Sequence, residues 1–212
     1  ALCPRFDVVV NNAAYGLLGA VEECDSTEAY ELFFTNFFGA YHLLRELLPE
    51  LREQRAGHIL NISSIAALAP QAGSGLYAAS KAALEALSES LAAELAPLGV
   101  RMTIVEPGAF RTDFLSPRSL HRATRSIGDY AASSGQVLQR MQKMDGVQLG
   151  DPELAAQAIL AVVDAPEPPL RLLLGSDALQ RARLKLARQC ADIDRWEDIT
   201  VGTDHAAEEI EA

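Results

Sequence analysis

The chain has 212 residues, of which 49% are hydrophobic, and its formal net charge is −11. This length and composition predict one globular domain, or at most two small ones, with a proper apolar core. The acidic balance argues against a nucleic-acid partner, because binding phosphates takes clustered Lys and Arg. No apolar run approaches the roughly 20 residues that span a membrane. The first residues, ALCPRF, do not resemble a signal peptide, so we expect a cytoplasmic protein.

Three cysteines, Cys3, Cys24 and Cys190, are far apart in the sequence and form no CxxC pair. An odd number at such separations favours reduced thiols over a disulfide framework or a zinc site. We therefore expect no metal site, and a reducing compartment.

The first predicted strand is the apolar run Val8–Val10. Asp25, with Glu28 three residues later, resembles a capping box, and it opens a helix that is expected to run to about Gln54. Pro49 should kink that helix or end its regular part, because proline lacks the backbone N–H that an interior helical position donates.

Strands and helices continue to alternate along the rest of the chain. The strands are predicted at 57–64, 100–108 and 170–175, and the helices at 74–95, at 151–163 and from Ser176 or Asp177 onward. The less regular residues 113–149 are interpreted as a mobile excursion with one or two short helices. The last helix contains a basic segment, Arg181–Arg188, which indicates a solvated face, with a binding patch as the alternative. The acidic residues after Trp196 are expected to form a poorly ordered tail.

This alternation predicts an α/β fold, a doubly wound parallel sheet of Rossmann type. We expect one domain over 1–195 and the acidic tail over 196–212. In such sheets, ligands bind beyond the carboxyl ends of the strands. That rule selects four segments, Asn11–Ala14, Ser63–Ser64, Pro107–Thr112 and Gly175.

The segment YAASK places Tyr77 and Lys81 one helical turn apart, so their side chains share a face. An ammonium close to a tyrosine lowers the phenol pKa, which makes the pair a proton donor and acceptor for a carbonyl or an alcohol. A surface pair on an amphipathic helix would have the same spacing. Ser64 ends the preceding strand and should point into the same crevice, where its hydroxyl either binds a substrate oxygen or caps a helix.

Two further observations concern polar residues. Asn36 lies in the middle of a predicted helix, where asparagine competes with the backbone for hydrogen bonds. It is either an exposed or locally bonded side chain, or a polar group needed where the helix passes the crevice. None of the four histidines is placed for a Ser–His–Asp system, so we expect no such nucleophile.

Together these residues resemble the short-chain dehydrogenase/reductase family. The matching segments are NNAA at Asn11–Ala14, Asn36, Ser64, YAASK at Tyr77–Lys81, and PGAFRT at Pro107–Thr112. Their order agrees with the family pattern, and so does the thirteen-residue step from Ser64 to Tyr77. The resemblance covers the chain up to its last helix. It implies an NAD(P)-dependent oxidoreductase that transfers hydride between a nicotinamide and a carbonyl or secondary alcohol.

The resemblance also implies roles for single residues. Tyr77 would be the catalytic acid/base, and Lys81 would lower its pKa and hold the nicotinamide ribose. Ser64 would orient the substrate carbonyl, and Asn36 would help to hold a water that links Lys81 to solvent. The remaining cofactor contacts would come from Asn11, Asn12 and Ala13 near the adenosine ribose, and from Pro107, Gly108, Phe110 and Thr112 near the nicotinamide. Residues 113–149 correspond to the substrate lid of the family, and we call them the lid segment.

The chain departs from the family pattern in two places. Ala14 stands where the family usually has glycine, which would strain a turn that needs a positive φ. The glycine-rich phosphate loop, TGxxxGxG, does not occur in the printed sequence. In a complete family member, two or more βα units with this loop would precede residue 1, so DVVV is expected to form an exposed apolar edge. The chain is therefore expected to be an N-terminally incomplete enzyme that is inactive as an isolated piece.

The alternative is a truncated or non-catalytic relative that senses cofactor or serves as a scaffold; such proteins typically lose the tyrosine or the lysine. Family analogy favours NADP over NAD, although the selecting residues lie outside the printed sequence. Apolar side chains in the lid segment are consistent with an apolar small-molecule substrate, or with ordinary packing. The helices at 28–54 and 77–95 are those with which the family forms homodimers and homotetramers.

Overall fold

The computed structural model describes residues 5–205. In this part of the chain the strands are β1 (Val8–Asn11), β2 (Gly16–Leu18), β3 (Gly57–Ile62), β4 (Val100–Pro107), β5 (Leu120–Arg122) and β6 (Arg171–Leu174). The α-helices are α1 (Ser26–Phe33), α2 (Gly39–Gln54), α3 (Ile65–Leu68), α4 (Gly75–Leu95), α5 (Ser134–Met144), α6 (Pro152–Asp164) and α7 (Ser176–Val201). No helix among these residues is long and apolar enough to cross a membrane.

The central sheet has the order β1-β3-β4-β6, and all of its pairs are parallel. The α-helices between these strands make the parallel connections that the alternating pattern predicts. The prediction of an α/β fold with a parallel, doubly wound sheet is confirmed.

Successive side chains of each strand point to opposite faces of the sheet, and helices cover both of these faces. On one face, Val9, Ile59 and Met102 form a buried cluster with Leu44 of α2 and Leu91 of α4. On the other face, a second cluster packs the sheet against α6. Its members are Leu60, Val105 and Leu174 of the strands, with Ala155, Ala158, Ile159 and Val163 of the helix.

Strand β1 lies at one edge of the sheet. Among the described residues it pairs with β3 alone, and Val8 and Val10 are 40% and 49% exposed. Both valines lie on the face opposite to the buried Val9. The apolar edge expected for this segment is therefore present.

The long first helix is divided differently from the prediction. A π-helical turn, Phe34–Phe38, separates α1 from α2. Helix α2 continues through Pro49 to Gln54 and ends at Arg55 in the left-handed conformation. Pro49 is exposed, so the carbonyl group that loses its helical hydrogen bond can bind water instead. Arg55 is the one non-glycine residue of 5–205 with a positive φ, so Ala14 causes no strain of this kind.

Two features of the structure were not predicted from the sequence, the pairing of β2 with β5 and the full length of α7. Strands β2 and β5 form a separate two-stranded parallel sheet, which joins the segment after β1 to the lid segment. Three-residue strands are too short to produce a readable alternation. Helix α7 continues past Trp196 to Val201, so the expected tail begins later than Trp196. Residues 206–212 of that tail lie outside the described residues.

His58, in β3, lies at the end of the sheet away from the crevice and is fully buried. The Thr103 hydroxyl donates to the Pro169 carbonyl oxygen at 2.8 Å and therefore accepts from Nε2–H of His58, 2.9 Å away. The Nδ1 atom of His58 has no partner. Burial, and then the positive charge of Arg101, lower the pKa of His58 to about 4.

We expect this histidine to make the fold acid-sensitive. The unfolded chain binds a proton near its ordinary pKa of 6.5, whereas the folded chain binds it near 4. Stability is therefore lost as the pH falls from about 6.5 towards 4, by up to about 3 kcal/mol. Urea unfolding at pH 6.5 and at pH 4 measures the free energy of unfolding in the two conditions. His58→Gln keeps an N–H donor for Thr103 but does not titrate, so the free energy of unfolding of this variant should depend less on pH than that of the wild type. An unchanged dependence would contradict the assignment of the acid sensitivity to His58.

Candidate active site

The carboxyl ends of β1, β3 and β4 lie side by side, because these strands are parallel neighbours. Ser64 follows β3 and is the N-cap of α3. Tyr77 and Lys81 lie in the first two turns of α4, both buried, on the side of the helix that faces β3. The three residues selected from the sequence are therefore brought to one end of the sheet.

Ser64 has two partners. Its oxygen accepts a hydrogen bond from the backbone N–H of Ala66 at 3.1 Å, which caps α3. Its side chain also lies close enough to the Tyr77 hydroxyl to lower the pKa of that phenol. Of the two roles left open by the sequence, the helix cap is therefore present, and the binding of a substrate oxygen stays a prediction.

Lys81 is buried, and its Nζ donates to the carbonyl oxygen of Ile62 at 2.7 Å. An ammonium has three donors, so two remain for other acceptors after this bond. Burial lowers the pKa of Lys81 to about 8, and the nearby Glu85 carboxylate opposes this decrease. Lys81 is thus mainly protonated at neutral pH and loses its proton as the pH rises through about 8.

Tyr77 does not have the lowered pKa that the resemblance implies. Burial raises the pKa of the Tyr77 phenol to about 12, and the Ser64 side chain only partly opposes the increase. The physical reason is that an enclosed phenolate loses its hydration, while the Lys81 ammonium donates to the Ile62 carbonyl oxygen. In this arrangement Tyr77 is a neutral proton donor.

A group of charged side chains lies beneath Lys81, and we call it the Arg171 cluster. Arg171, at the start of β6, forms ion pairs with Glu85 and Glu89 of α4 and with Glu106 of β4. The second oxygen of Glu85 accepts a hydrogen bond from the Ser63 hydroxyl. Glu85 and Glu106 are buried, and burial raises the pKa of Glu106. The sequence analysis missed this cluster; the available signal was Glu85, four residues after Lys81 on the same helical face.

Asn36 is buried in the π-helical turn and holds the segment after β1. Its amide oxygen accepts from the backbone N–H of Tyr15 at 3.0 Å, and its Nδ2 donates to the Tyr15 carbonyl oxygen at 2.9 Å. Nδ2 also lies 3.1 Å from the Ser80 hydroxyl oxygen on α4. Of the two interpretations of Asn36, the exposed or locally bonded side chain is therefore wrong.

Asn11 connects strands rather than reaching outward. Its Nδ2 donates to Oδ1 of Asn61, the residue opposite it on β3, at 2.7 Å. Asn61 then donates to the Ser88 hydroxyl of α4 at 2.8 Å. Asn12 and Ala13 follow and are exposed at the end of the sheet. This part of NNAA therefore supports the central sheet with Asn11 and presents Asn12 and Ala13 to solvent.

The loop after β4 is held by α7 and by Gly150. The backbone N–H of Ala109 donates to the Asp177 carboxylate at 2.9 Å, and a Cβ at Gly108 would overlap that carboxylate. Phe110 pairs with Gly150, where a side chain would meet the Phe110 ring. Thr112 is an N-cap, since its hydroxyl accepts from the backbone N–H of Phe114 at 3.3 Å.

The lid segment lies against this end of the sheet. The Phe114 ring packs against the Tyr77 ring, with 5.7 Å between their centroids. The Glu23 carboxylate accepts from the backbone N–H of Ala20 and from that of Ile127 in the lid segment, each at 2.7 Å. A cavity of about 560 Å³ is formed by residues 20–22, 71–75 and 130–134. This cavity lies between the segment after β2 and the lid segment, next to the start of α4, and Ser64, Tyr77 and Lys81 do not line it.

A family model described as "short chain dehydrogenase" matches residues 1–123. The oxidoreductase BOA17 of Botryotinia fuckeliana is 33% identical over 199 residues, which cover 94% of this chain and 72% of that protein. The 3-ketodihydrosphingosine reductase of Bacteroides thetaiotaomicron is 37% identical over 171 residues, covering 81% of this chain and 63% of that protein. The chain thus spans about two thirds of the length of these two curated relatives.

Solved structures give the same result. A short-chain dehydrogenase from Streptomyces avermitilis superposes with a TM-score of 0.87 at 42% identity, over 94% of this chain and 72% of that one. The structure of ElxO with NADP bound gives a TM-score of 0.65 at 25% identity, over 83% of this chain and 68% of that one. The fold, the site and these matches define one class of protein. The chain belongs to the short-chain dehydrogenase family.

Proposed function

We propose that the complete gene product is an NAD(P)-dependent oxidoreductase that interconverts a carbonyl and a secondary alcohol, with Tyr77 as its acid/base. The observation that supports this most directly is the convergence of Ser64, Tyr77 and the buried Lys81 at the carboxyl end of β3. A buried lysine with free donors has no obvious structural purpose, because desolvating an ammonium costs free energy. The relatives described above, which are named as oxidoreductases or reductases, point to the same chemistry.

The donor set suits the nicotinamide end of the cofactor. Lys81 keeps two N–H donors for ribose hydroxyls, and the exposed Asn12 and Ala13 and the loop 107–112 flank the same crevice. We propose that Asn11, through the sheet, and Pro107, Gly108, Phe110 and Thr112, through the loop, shape this half of the cofactor site. Residues 5–205 supply no glycine-rich turn for the pyrophosphate. NADP is favoured over NAD because it is bound in the ElxO structure.

The bound nicotinamide would supply or accept hydride at the substrate carbon. In the reduction direction, Tyr77 holds the proton that the substrate oxygen needs, because its pKa of about 12 keeps the phenol neutral. Ser64 would donate a hydrogen bond to the same oxygen and orient it. As the proton leaves Oη of Tyr77, the Lys81 ammonium would stabilise the phenolate. Asn36 would keep the segment around Tyr15 in place beside Lys81, and it would help to hold a relay water.

The substrate is proposed to be a small, largely apolar carbonyl or alcohol. The Phe114 ring on Tyr77 would place an apolar surface beside the reacting oxygen. Leu17 and Leu32 belong to the same buried cluster as Tyr77. The named substrate of the Bacteroides relative, 3-ketodihydrosphingosine, agrees with such a pocket.

We also propose that α2 and α4 form an interface with a second copy of the chain. A groove between these helices has a volume of about 380 Å³ and is lined mainly by apolar side chains, including Leu44, Leu48, Leu87 and Leu91. Nearby apolar side chains on the same helical layer are exposed, among them Phe34, Phe38 and Tyr41. Apolar surface of this kind marks association sites in folded proteins.

Isotope transfer tests the proposed reaction. The complete gene product is incubated with a panel of ketones and aldehydes and with NADH or NADPH that carries deuterium at the transferable position. We expect deuterium at the carbinol carbon of the product, as detected by mass spectrometry. Cofactor oxidation without deuterium in any product, or no turnover with any member of a broad apolar panel, would contradict the proposal.

A further inference from the structure

Helix α7 is much longer than the part of it that packs on the domain. Its buried residues are Ala178 and Ala182, in the first two turns, and every residue from Leu186 to Val201 is exposed. Five large apolar side chains are among these exposed residues, of which Val201 at the end of the helix is 59% exposed and the other four precede it. These four are Leu186 at 50%, Ile193 at 68%, Trp196 at 55% and Ile199 at 63%. About four turns of helix therefore carry apolar side chains with no contact that would bury them.

Most of these apolar side chains form one stripe. Ala182, Leu186, Ile193 and Trp196 recur at the alternating three- and four-residue steps of a helix that packs on another helix, with Gln189 at the remaining step. We call this the α7 stripe. It continues the face with which Ala182 packs against the domain. Leu184 lies on the opposite side of the helix, although it is 53% exposed as well.

The charges of α7 are separated along its length. Residues 181–190 contain four basic residues and no acid, whereas residues 191–200 contain four acids and one arginine. Glu197 and Asp198 lie in the last turns, where the helix dipole disfavours carboxylates. The placement of basic residues in the first half of this segment and acidic residues in the second half therefore does not stabilise the isolated helix. Among the described residues, one ion pair lies in this region, between Arg195 and Asp192 at 3.9 Å.

We propose that α7 binds α7 of a second copy of this chain in antiparallel orientation. In that orientation the basic half of one helix lies against the acidic half of the other, at both ends of the contact. In a parallel pair, like charges would be adjacent. The charge pattern thus identifies both the partner, a second copy, and the direction of its helix.

The stripe fixes a register for the pair. Leu186 lies opposite Trp196 of the partner subunit, and Arg183 lies beside Glu197 of the partner subunit. The contact extends from Arg183 to Glu197, which is about 21 Å at 1.5 Å per residue. The interface is separate from the groove between α2 and α4, so both can form in one assembly.

Particle mass tests the apolar part of the proposal. Leu186→Glu with Ile193→Glu places two carboxylates in the stripe, and we expect the mass measured by light scattering to fall to half of the wild-type value. Leu184→Glu is the matched control, since it adds the same charge to an exposed leucine on the opposite side; its mass should be unchanged. All of these side chains are exposed, and circular dichroism checks that the variants are folded. Equal masses for the stripe variant and the wild type would overturn the proposal.

Cross-linking tests the orientation. In a Cys190→Ser background, Arg183→Cys combined with Glu197→Cys should give covalent dimers on mild oxidation, because the two positions lie side by side between subunits. Neither single cysteine variant should form covalent dimers, because position 183 of one subunit lies beside position 197 of the partner subunit and not beside a second position 183. Efficient cross-linking by Arg183→Cys alone would indicate a parallel pair. Absence of covalent dimers in the double variant would exclude the register, and either result overturns the proposal.

Charge exchange provides an independent readout. Arg183→Glu should weaken association, because it places a carboxylate beside Glu197 of the partner subunit. Adding Glu197→Arg to the same chain restores opposite charges at both ends of the contact, and it should restore the wild-type mass. A double variant that associates no better than Arg183→Glu contradicts the pairing.

Discussion

Replacing Tyr77 with Phe is expected to lower kcat/KM for carbonyl reduction about 1,000-fold, the size of a lost general acid. In the proposed mechanism the phenol is the proton donor for the substrate oxygen, and its pKa of about 12 keeps the proton in place up to strongly alkaline pH. Phenylalanine keeps the ring that packs against Phe114, so the fold and the cofactor affinity should change little. Steady-state kinetics and fluorescence titration with NADPH, on the complete gene product, measure the two quantities separately.

Tyr15→Phe is the matched control for this variant. Tyr15 packs against the same buried cluster as Tyr77, and burial together with Glu31 and Glu28 raises its pKa, but its hydroxyl has no proposed role. Its removal should leave kcat/KM within about twofold. Retained function in Tyr77→Phe would favour a non-catalytic relative that senses cofactor. An equal loss in both tyrosine variants would indicate damage to the cluster rather than to the acid.

Replacing Glu85 with Gln is expected to change the pH profile more than the rate at low pH. The Lys81 ammonium must be protonated to stabilise the phenolate, so reduction should slow as the pH rises through about 8, the pKa of Lys81. The Glu85 carboxylate keeps that pKa from falling further. In Glu85→Gln the decline should therefore begin at lower pH, with about a fivefold loss of activity at pH 8 and wild-type activity where Lys81 is fully protonated.

Glu89→Gln separates this effect from general damage to the Arg171 cluster. Glu89 also forms an ion pair with Arg171, but it is half exposed and does not act on Lys81. Its variant should keep the wild-type pH profile. A Glu85→Gln enzyme whose activity is reduced equally at every pH would show that Glu85 has a structural role alone. We therefore expect Glu85 to be a positioning residue, which acts through Lys81.

The main elements of the sheet could be predicted because local signals agree with the global fold. Val8–Val10 and the runs after Gly57 and Gly99 are apolar and bounded by turn residues, and the Asp25 capping box is present as expected. The helices α4 and α6 were predicted within one or two residues, at 74–95 and 151–163. The order of the catalytic motifs identified the family before any geometry was known.

The parts that could not be predicted depend on contacts between distant segments. The bonds of Asn36 to Tyr15 join residues 21 apart, and the Arg171 ion pairs join residues up to 86 apart. The raised pKa of Tyr77 follows from how completely the site is enclosed, which spacing does not reveal. Pro49 was expected to kink its helix or end the regular part of it, but α2 continues to Gln54, and solvent at Pro49 can satisfy the free carbonyl group.

The pairing of β2 with β5 has a consequence for redesigning substrate preference. Exchange of the lid segment for that of a relative is the obvious route to a new pocket, but Leu120–Arg122 pairs with Gly16–Leu18, which follows the segment held by Asn36. A Cβ at Gly16 would meet the Leu120 side chain at 2.5 Å, so the two strands fit each other closely. A chimera should therefore join donor and host sequence after Arg122, or transfer both strands together. A graft that breaks this pair would alter the backbone beside Tyr77 along with the pocket.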